Sequence, residues 1–158
     1  MSAATPDPIF SSDQARALSS VLDELIPPSD DGRMPGAGAL GLVARIEDAV
    51  RRSPDLEPAL VHGLAALQEA ARAAGASDFS SLTREQRVAA LEQTATTQPA
   101  FLPGLIFHTY TAYYQHARVL EGLGLEGRPP HPLGYTLEAS DPALLDPVRA
   151  RPKLYRKV

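Results

Sequence analysis

Apolar residues in this chain recur every three or four positions and show no sustained period-two alternation, a pattern that calls for helices and predicts little or no strand. Ala15, Leu18, Val21, Leu22, Leu25 and Ile26 form the first such stripe. It predicts a helix over residues 11–26, opened by Ser11 and Gln14 at capping-box spacing and stopped by Pro27-Pro28. A second helix is expected over 39–52, with Leu40, Val43, Ile46 and Val50 inward. A third follows Ser53-Pro54, with Ser53 as its cap. It carries Leu56, Leu60, Leu64, Leu67, Ala71 and Ala74, and Gly75 closes it. Thr83 and Gln86 repeat the capping-box spacing at the head of a fourth, over 83–97, whose inward residues read as Val88, Leu91 and Ala95. The fifth spans 99–121 and takes most of its apolar surface from Phe101, Leu105, Ile106, Tyr110, Tyr113 and Tyr114. The fold class is therefore all-α, about five helices in a compact bundle.

Proline sets the limits of that bundle. Pro6 and Pro8 predict a disordered start over 1–10, which leaves a helical domain over 11–121. Six of the 15 prolines fall in the last thirty residues, so 122–158 reads as a long Pro/Gly-rich irregular tail. A structureless stretch of that length is disordered or lies on something else. Charge divides at the same end of the chain. From Pro147 onward there are five basic residues and no acid, whereas the preceding chain carries 10 basic and 19 acidic residues. An extended, basic, proline-interrupted segment suits docking on a partner surface better than an amphipathic helix does.

Catalytic equipment is hard to find. The chain has no cysteine, which removes thiolate metal sites, iron–sulfur clusters and cysteine nucleophiles. His108 and His116 are eight residues apart, too far to chelate one ion, and His62 has no second ligand at helical spacing. His131, in Arg128-Pro-Pro-His-Pro, reads as a contact residue of the tail. Asp30-Asp31-Gly32 begins like a calcium loop, but the EF-hand pattern does not continue. Gly36, Gly38 and Gly41 spell G-x-G-x-x-G without the preceding strand that a dinucleotide fold requires. The N-terminal residues show no secretory signal and Arg51-Arg52 is no twin-arginine signal, so the expected location is cytoplasmic as the sequence is written. It becomes periplasmic if the start lies elsewhere or a partner carries the signal.

Two stretches carry a resemblance. One is the double-proline loop Leu25-Ile-Pro-Pro-Ser-Asp-Asp-Gly-Arg-Met-Pro-Gly-Ala, which leads into Val43-Ala-Arg-Ile-Glu-Asp. The other is the succession of Gln98-Pro-Ala-Phe, Thr109-Tyr-Thr-Ala-Tyr-Tyr and Arg128-Pro-Pro-His-Pro-Leu-Gly-Tyr. In order and spacing, over residues 11–135, they resemble the gluconate 2-dehydrogenase subunit 3 family. The resemblance implies a small, non-catalytic subunit that binds and stabilises a large FAD-dependent subunit of the glucose–methanol–choline type, which oxidises sugars, sugar acids or alcohols. It implies FAD in the partner, and no cofactor, metal or catalytic residue in this chain. It also implies a hetero-oligomer without a direct membrane span or nucleic acid. The residues expected to touch the partner are Pro27, Pro28, Met34, Tyr113, Tyr114, His131, Tyr135 and Tyr155. Two other readings remain open at this stage. One is a stand-alone ligand-binding protein or enzyme with a pocket near His108, Tyr110 and His116. The other is a basic-tailed adaptor for an anionic surface.

Overall fold

The structure, a computed structural model, describes residues 7–134 and 136–152. Among them the chain is all-helical and has no strand. Seven α-helices follow one another: α1 (Ser12–Leu25), α2 (Val43–Arg52), α3 (Leu56–Ala73), α4 (Arg84–Thr97), α5 (Phe101–Tyr113), α6 (Ala117–Gly122) and the single turn α7 (Asp146–Arg149). Short 3-10 turns occupy Gly38–Leu40, Phe79–Ser81 and Pro142–Leu145.

The predicted helix starts are visible as chemistry. Ser11 Oγ accepts the Gln14 N–H while the Gln14 side chain accepts the Ser11 N–H, and Thr83 and Gln86 do the same at α4. Each box satisfies two of the donors that a helix start leaves unpaired. Gly75, at φ +76°, ends α3 in a left-handed turn that an L side chain rarely adopts. The third helix departs from expectation at its start: Ser53 closes α2, and Asp55 precedes α3 without a side-chain cap. The second helix starts late, at Val43, because Gly41 at φ +65° interrupts the turn before it.

α3 runs through the middle and packs on α1, α4 and α5, while α2 lies against α5. Leu18, Val21, Leu22, Ile46, Val50, Leu64, Leu67, Phe79, Phe101 and Leu105 are fully enclosed in one cluster. Ile9 and Phe10 belong to this packing rather than to a loose start. Glu47 Oε1 accepts both of their backbone N–H groups, at 2.9 and 3.2 Å, and Phe10 is buried. Between α1 and α4, the nearly enclosed Glu24 carboxylate accepts Arg87 Nε at 2.7 Å, and Arg87 also donates to the Leu82 carbonyl.

Two sequence expectations are corrected by packing. On α4 the inward residues are Ala90, Leu91 and Thr94, and Val88 faces out. The helix is rotated from the expected register, so that Leu91 stays inward while Ala90 and Thr94 take the place expected of Val88. The fifth helix is not continuous either. It breaks after Tyr113, where the His116 N–H turns back to the Tyr113 carbonyl and His116 adopts extended backbone angles. His116 Nδ1 then accepts the Arg118 N–H at 3.3 Å and opens α6, which turns Val119 and Leu120 inward.

α3 and α5 approach closely at Gly63. The face of the Phe101 ring lies on Gly63, where a Cβ would stand 2.1 Å from ring carbon Cδ2. Phe101 is fully enclosed and cannot yield. Gly63→Ala therefore overpacks the core and is expected to cost about 1–3 kcal/mol of folding free energy. Urea denaturation followed by circular dichroism reads the change. An unaltered midpoint would contradict this packing.

Candidate partner interface

The double-proline loop is built as a closed unit. The Ala37 N–H bonds the Ile26 carbonyl at 2.9 Å and the Ser29 N–H bonds the Met34 carbonyl at 3.0 Å, which folds residues 27–37 back on themselves. Ser29 Oγ donates to Asp31 Oδ1 at 2.6 Å and accepts from the Met34 N–H at 2.9 Å. The Ser29 hydroxyl, followed by the Arg33 backbone N–H, holds the Asp31 carboxyl below its ordinary pKa. Asp31 is thus occupied as the staple of a turn. Among the described residues no group of three His, Cys, Asp or Glu is placed to hold a metal ion.

The loop is also tied to the rest of the protein. Tyr113 Oη donates to the Pro35 carbonyl at 2.8 Å, and Arg33 reaches the Gly122 carbonyl at 3.0 Å. Gly36 and Gly38 serve close approach to α1. A Cβ on Gly38 would lie 2.4 Å from the Ser19 carbonyl oxygen, and the Gly38 N–H donates to Asp23 Oδ1 at 2.8 Å. With helix α1 before it and the Asp23 carboxylate on the Gly38 N–H, this G-x-G-x-x-G is a packing device.

The structure sorts the residues predicted to touch a partner. Pro27, Pro28, Tyr114 and His131 are exposed, and Met34 is half-buried with its sulfur against Gly122. Tyr113 faces inward instead: it is 1% exposed, and its hydroxyl is engaged by Pro35. Burial, with a smaller contribution from Tyr114, raises its phenol above the ordinary range. Tyr135 and Tyr155 lie outside the described residues.

Of the outer side of α5, the sequence reading named only Tyr114 as a contact residue. Ile106 (38% exposed), Phe107 (65%), Tyr110 (44%) and Tyr114 (48%) occupy one side of that helix, opposite Phe101, Leu105, Thr109 and Tyr113. The Tyr110 and Tyr114 rings lie 6.0 Å apart, and His108 meets the edge of Phe107 at 5.1 Å. A helix that is apolar all round is ordinarily buried all round, and α5 is covered on one side alone. The signal was present in the sequence as an absence: within Phe101–Tyr113 no charged residue marks a solvent face.

His108, Tyr110 and His116 do not converge on one cavity. His116 lines a cavity of about 380 Å³ with Arg45 and Gln115, whereas neither His108 nor Tyr110 does. A larger, open groove of about 620 Å³ runs between α3 and α4. Its walls are chiefly alanine, and its one carboxylate, Glu69, is paired with Arg72. Among the described residues of the tail, 129–134 are exposed. Residues 136–152 are exposed throughout, including Leu137, Leu144, Leu145 and Val148.

The family model of gluconate 2-dehydrogenase subunit 3 matches residues 12–124. The chain belongs to that family. The match begins with the first residue of α1 and stops two residues after α6, so it covers the helical body and leaves the tail outside. Gluconate 2-dehydrogenase subunit 3 proteins are accessory subunits of dehydrogenase complexes, and the all-helical body described here is one of that family. No curated protein and no solved structure matches the chain. Among the described residues, no helix is long and apolar enough to cross a membrane.

Tyr113 provides a test of how the loop is held. Tyr113→Phe removes one hydrogen bond and leaves the Pro35 carbonyl without its donor, an expected loss of about 1–2 kcal/mol. The same contact gives a pH signature. A phenol raised by folding contributes its full stability below about pH 10 and loses it as pH climbs through the raised value. Alkaline denaturation of the wild type should therefore steepen above about pH 10, and that of Tyr113→Phe should be flatter.

Proposed function

We propose that this chain is the non-catalytic small subunit of a FAD-dependent sugar- or alcohol-oxidising dehydrogenase, and that it binds and stabilises a large subunit of the glucose–methanol–choline type. One observation supports this reading above the others: the outer side of α5 presents Ile106, Phe107, Tyr110 and Tyr114 to solvent. Contiguous exposed aromatic surface of this kind marks a protein–protein contact, because tyrosine and phenylalanine bring large area at little conformational cost. The proline-rich tail adds a second attachment. Its leucines have no cover of their own, and prolines reduce the freedom that docking would remove. A subunit that binds the folded large subunit and not the unfolded one stabilises it by mass action.

Two variants separate docking from folding. Simultaneous Phe107→Ser, Tyr110→Ser and Tyr114→Ser changes alter exposed side chains, so each should move stability by no more than about 0.5 kcal/mol. Co-expressed with the large subunit, this variant should fail to hold it in solution with its flavin. Truncation after Gly127 should likewise spare the helical body and weaken the complex. If the flavoprotein is equally soluble, flavin-loaded and active without this chain, the stabilising role is wrong.

A further inference from the structure

Among its described residues the tail has one helical stretch, and that stretch is amphipathic. The 3-10 turn Pro142–Leu145 runs directly into α7 (Asp146–Arg149). Asp141 caps it: the carboxylate accepts the Ala143 N–H at 2.9 Å and the carbonyl accepts the Leu144 N–H at 3.2 Å. Pro142 and Pro147 stand in the first turn of each part, where a fixed φ favours the helix. The Ala150 N–H closes the far end on the Asp146 carbonyl at 3.0 Å. At helical spacing Leu144, Leu145 and Val148 share one face, and the Asp146–Arg149 ion pair, at 3.2 Å, takes the other.

No described part of the body covers that apolar face: residues 136–152 are exposed throughout, Leu144, Leu145 and Val148 included. The α5 stripe, for its part, is too small to hold a partner in a stable complex by itself. Its three rings are about half exposed and offer on the order of 300 Å², against about 800 Å² per partner in a standard stable interface. The missing area has to come from other exposed apolar side chains. Among the described residues the largest such exposures outside α5 are Leu133, Leu137 and Leu144, all in the tail. Of the tail's exposed apolar residues, Leu144, Leu145 and Val148 are the ones that a helix holds together on one face.

Charge indicates the surface that this face fits. From Pro147 to the end the sequence carries five basic residues and no acid. The capped stretch itself is not basic, since Asp141 and Asp146 stand against Arg149 alone, and this disfavours an anionic lipid surface beneath the leucines. The geometry points to a preformed docking motif: Leu144, Leu145 and Val148 enter an apolar groove of the large subunit, and the basic residues that follow lie along an acidic margin of that groove. The inference rests on the accessory-subunit reading and adds to it which part of the tail docks and on what chemistry. Anchors at i and i+4 on one helical face are the means by which an amphipathic segment enters a groove. A turn that is capped before it meets the partner loses little freedom on docking. The chain joins this contact to the α5 stripe, so the two bind as a pair.

The test captures the co-expressed complex through its large flavoprotein subunit and follows the rate at which this chain dissociates. The combined Leu144→Ser, Leu145→Ser and Val148→Ser variant should leave about tenfold faster or more. Asp141→Ala keeps the three anchors but removes the cap, and should leave about threefold faster or more. Val88→Ser, which alters an exposed apolar residue of α4, should stay within about twofold of the wild type. The free triple variant should melt as the wild type does; a lowered melting temperature would mean that the turn packs on its own body and would overturn the motif. Wild-type dissociation of the triple variant would overturn it while leaving the accessory role standing. Wild-type dissociation of Asp141→Ala would reduce the turn to a merely apolar tail and overturn it as well. So would tighter binding of the free wild-type chain to phosphatidylglycerol vesicles than to the large subunit. A wild-type chain that is not captured with the large subunit at all would overturn both readings.

Discussion

The hydrogen bond from Tyr113 to the Pro35 carbonyl holds the body together at its least regular point. Two prolines end α1 and deny the following loop any helical continuation, so the chain must return to the core by other means. It does so through the Ala37–Ile26 backbone bond, the Gly38–Asp23 bond and the phenol of Tyr113. The last of these acts together with Phe101, Leu105 and Thr109, which bury the same side of α5 in the core. With that side turned inward, Ile106, Phe107, Tyr110 and Tyr114 face outward. The contact surface proposed for the partner is thus a consequence of how the inner side of α5 is anchored.

The same economy runs through the features that looked like chemistry. Gly36 and Gly38 let the loop press on Ser19 and Asp23. Asp31 staples a turn, and Asp78, held below its ordinary pKa by the Ser80 and Ser81 hydroxyls, caps the 3-10 turn at Phe79–Ser81. His116 opens α6. Each polar residue that the sequence offers as a catalytic or metal candidate has a local backbone task or lies apart from the others.

Helix positions were legible in the sequence wherever local chemistry decides them. The capping boxes at Ser11 and Thr83 and the glycine stop at Gly75 act over three or four residues, and they stand where expected. What remained hidden was decided between helices. The break at His116 has no proline or glycine to announce it, and histidine is not a usual cap. The inward side of α4 runs through Ala90, Leu91 and Thr94 and leaves Val88 outside, a rotation set by how the helix packs on its neighbours and not by the polarity of its residues. Tyr113 and Tyr114 are neighbours of the same type, so sequence alone could not say which one the loop would claim. The cavity around Arg45 joins α2 to the α5–α6 junction, a proximity that no spacing rule contains.

Hydroxyl-radical footprinting of the chain, alone and bound to the large flavoprotein subunit, reports directly on whether the outer side of α5 is the contact face. Phe107, Tyr110 and Tyr114 should oxidise readily in the free chain and become protected in the complex, with Tyr113 unreactive in both. Equal oxidation of the three exposed rings in the free and bound states would contradict the account.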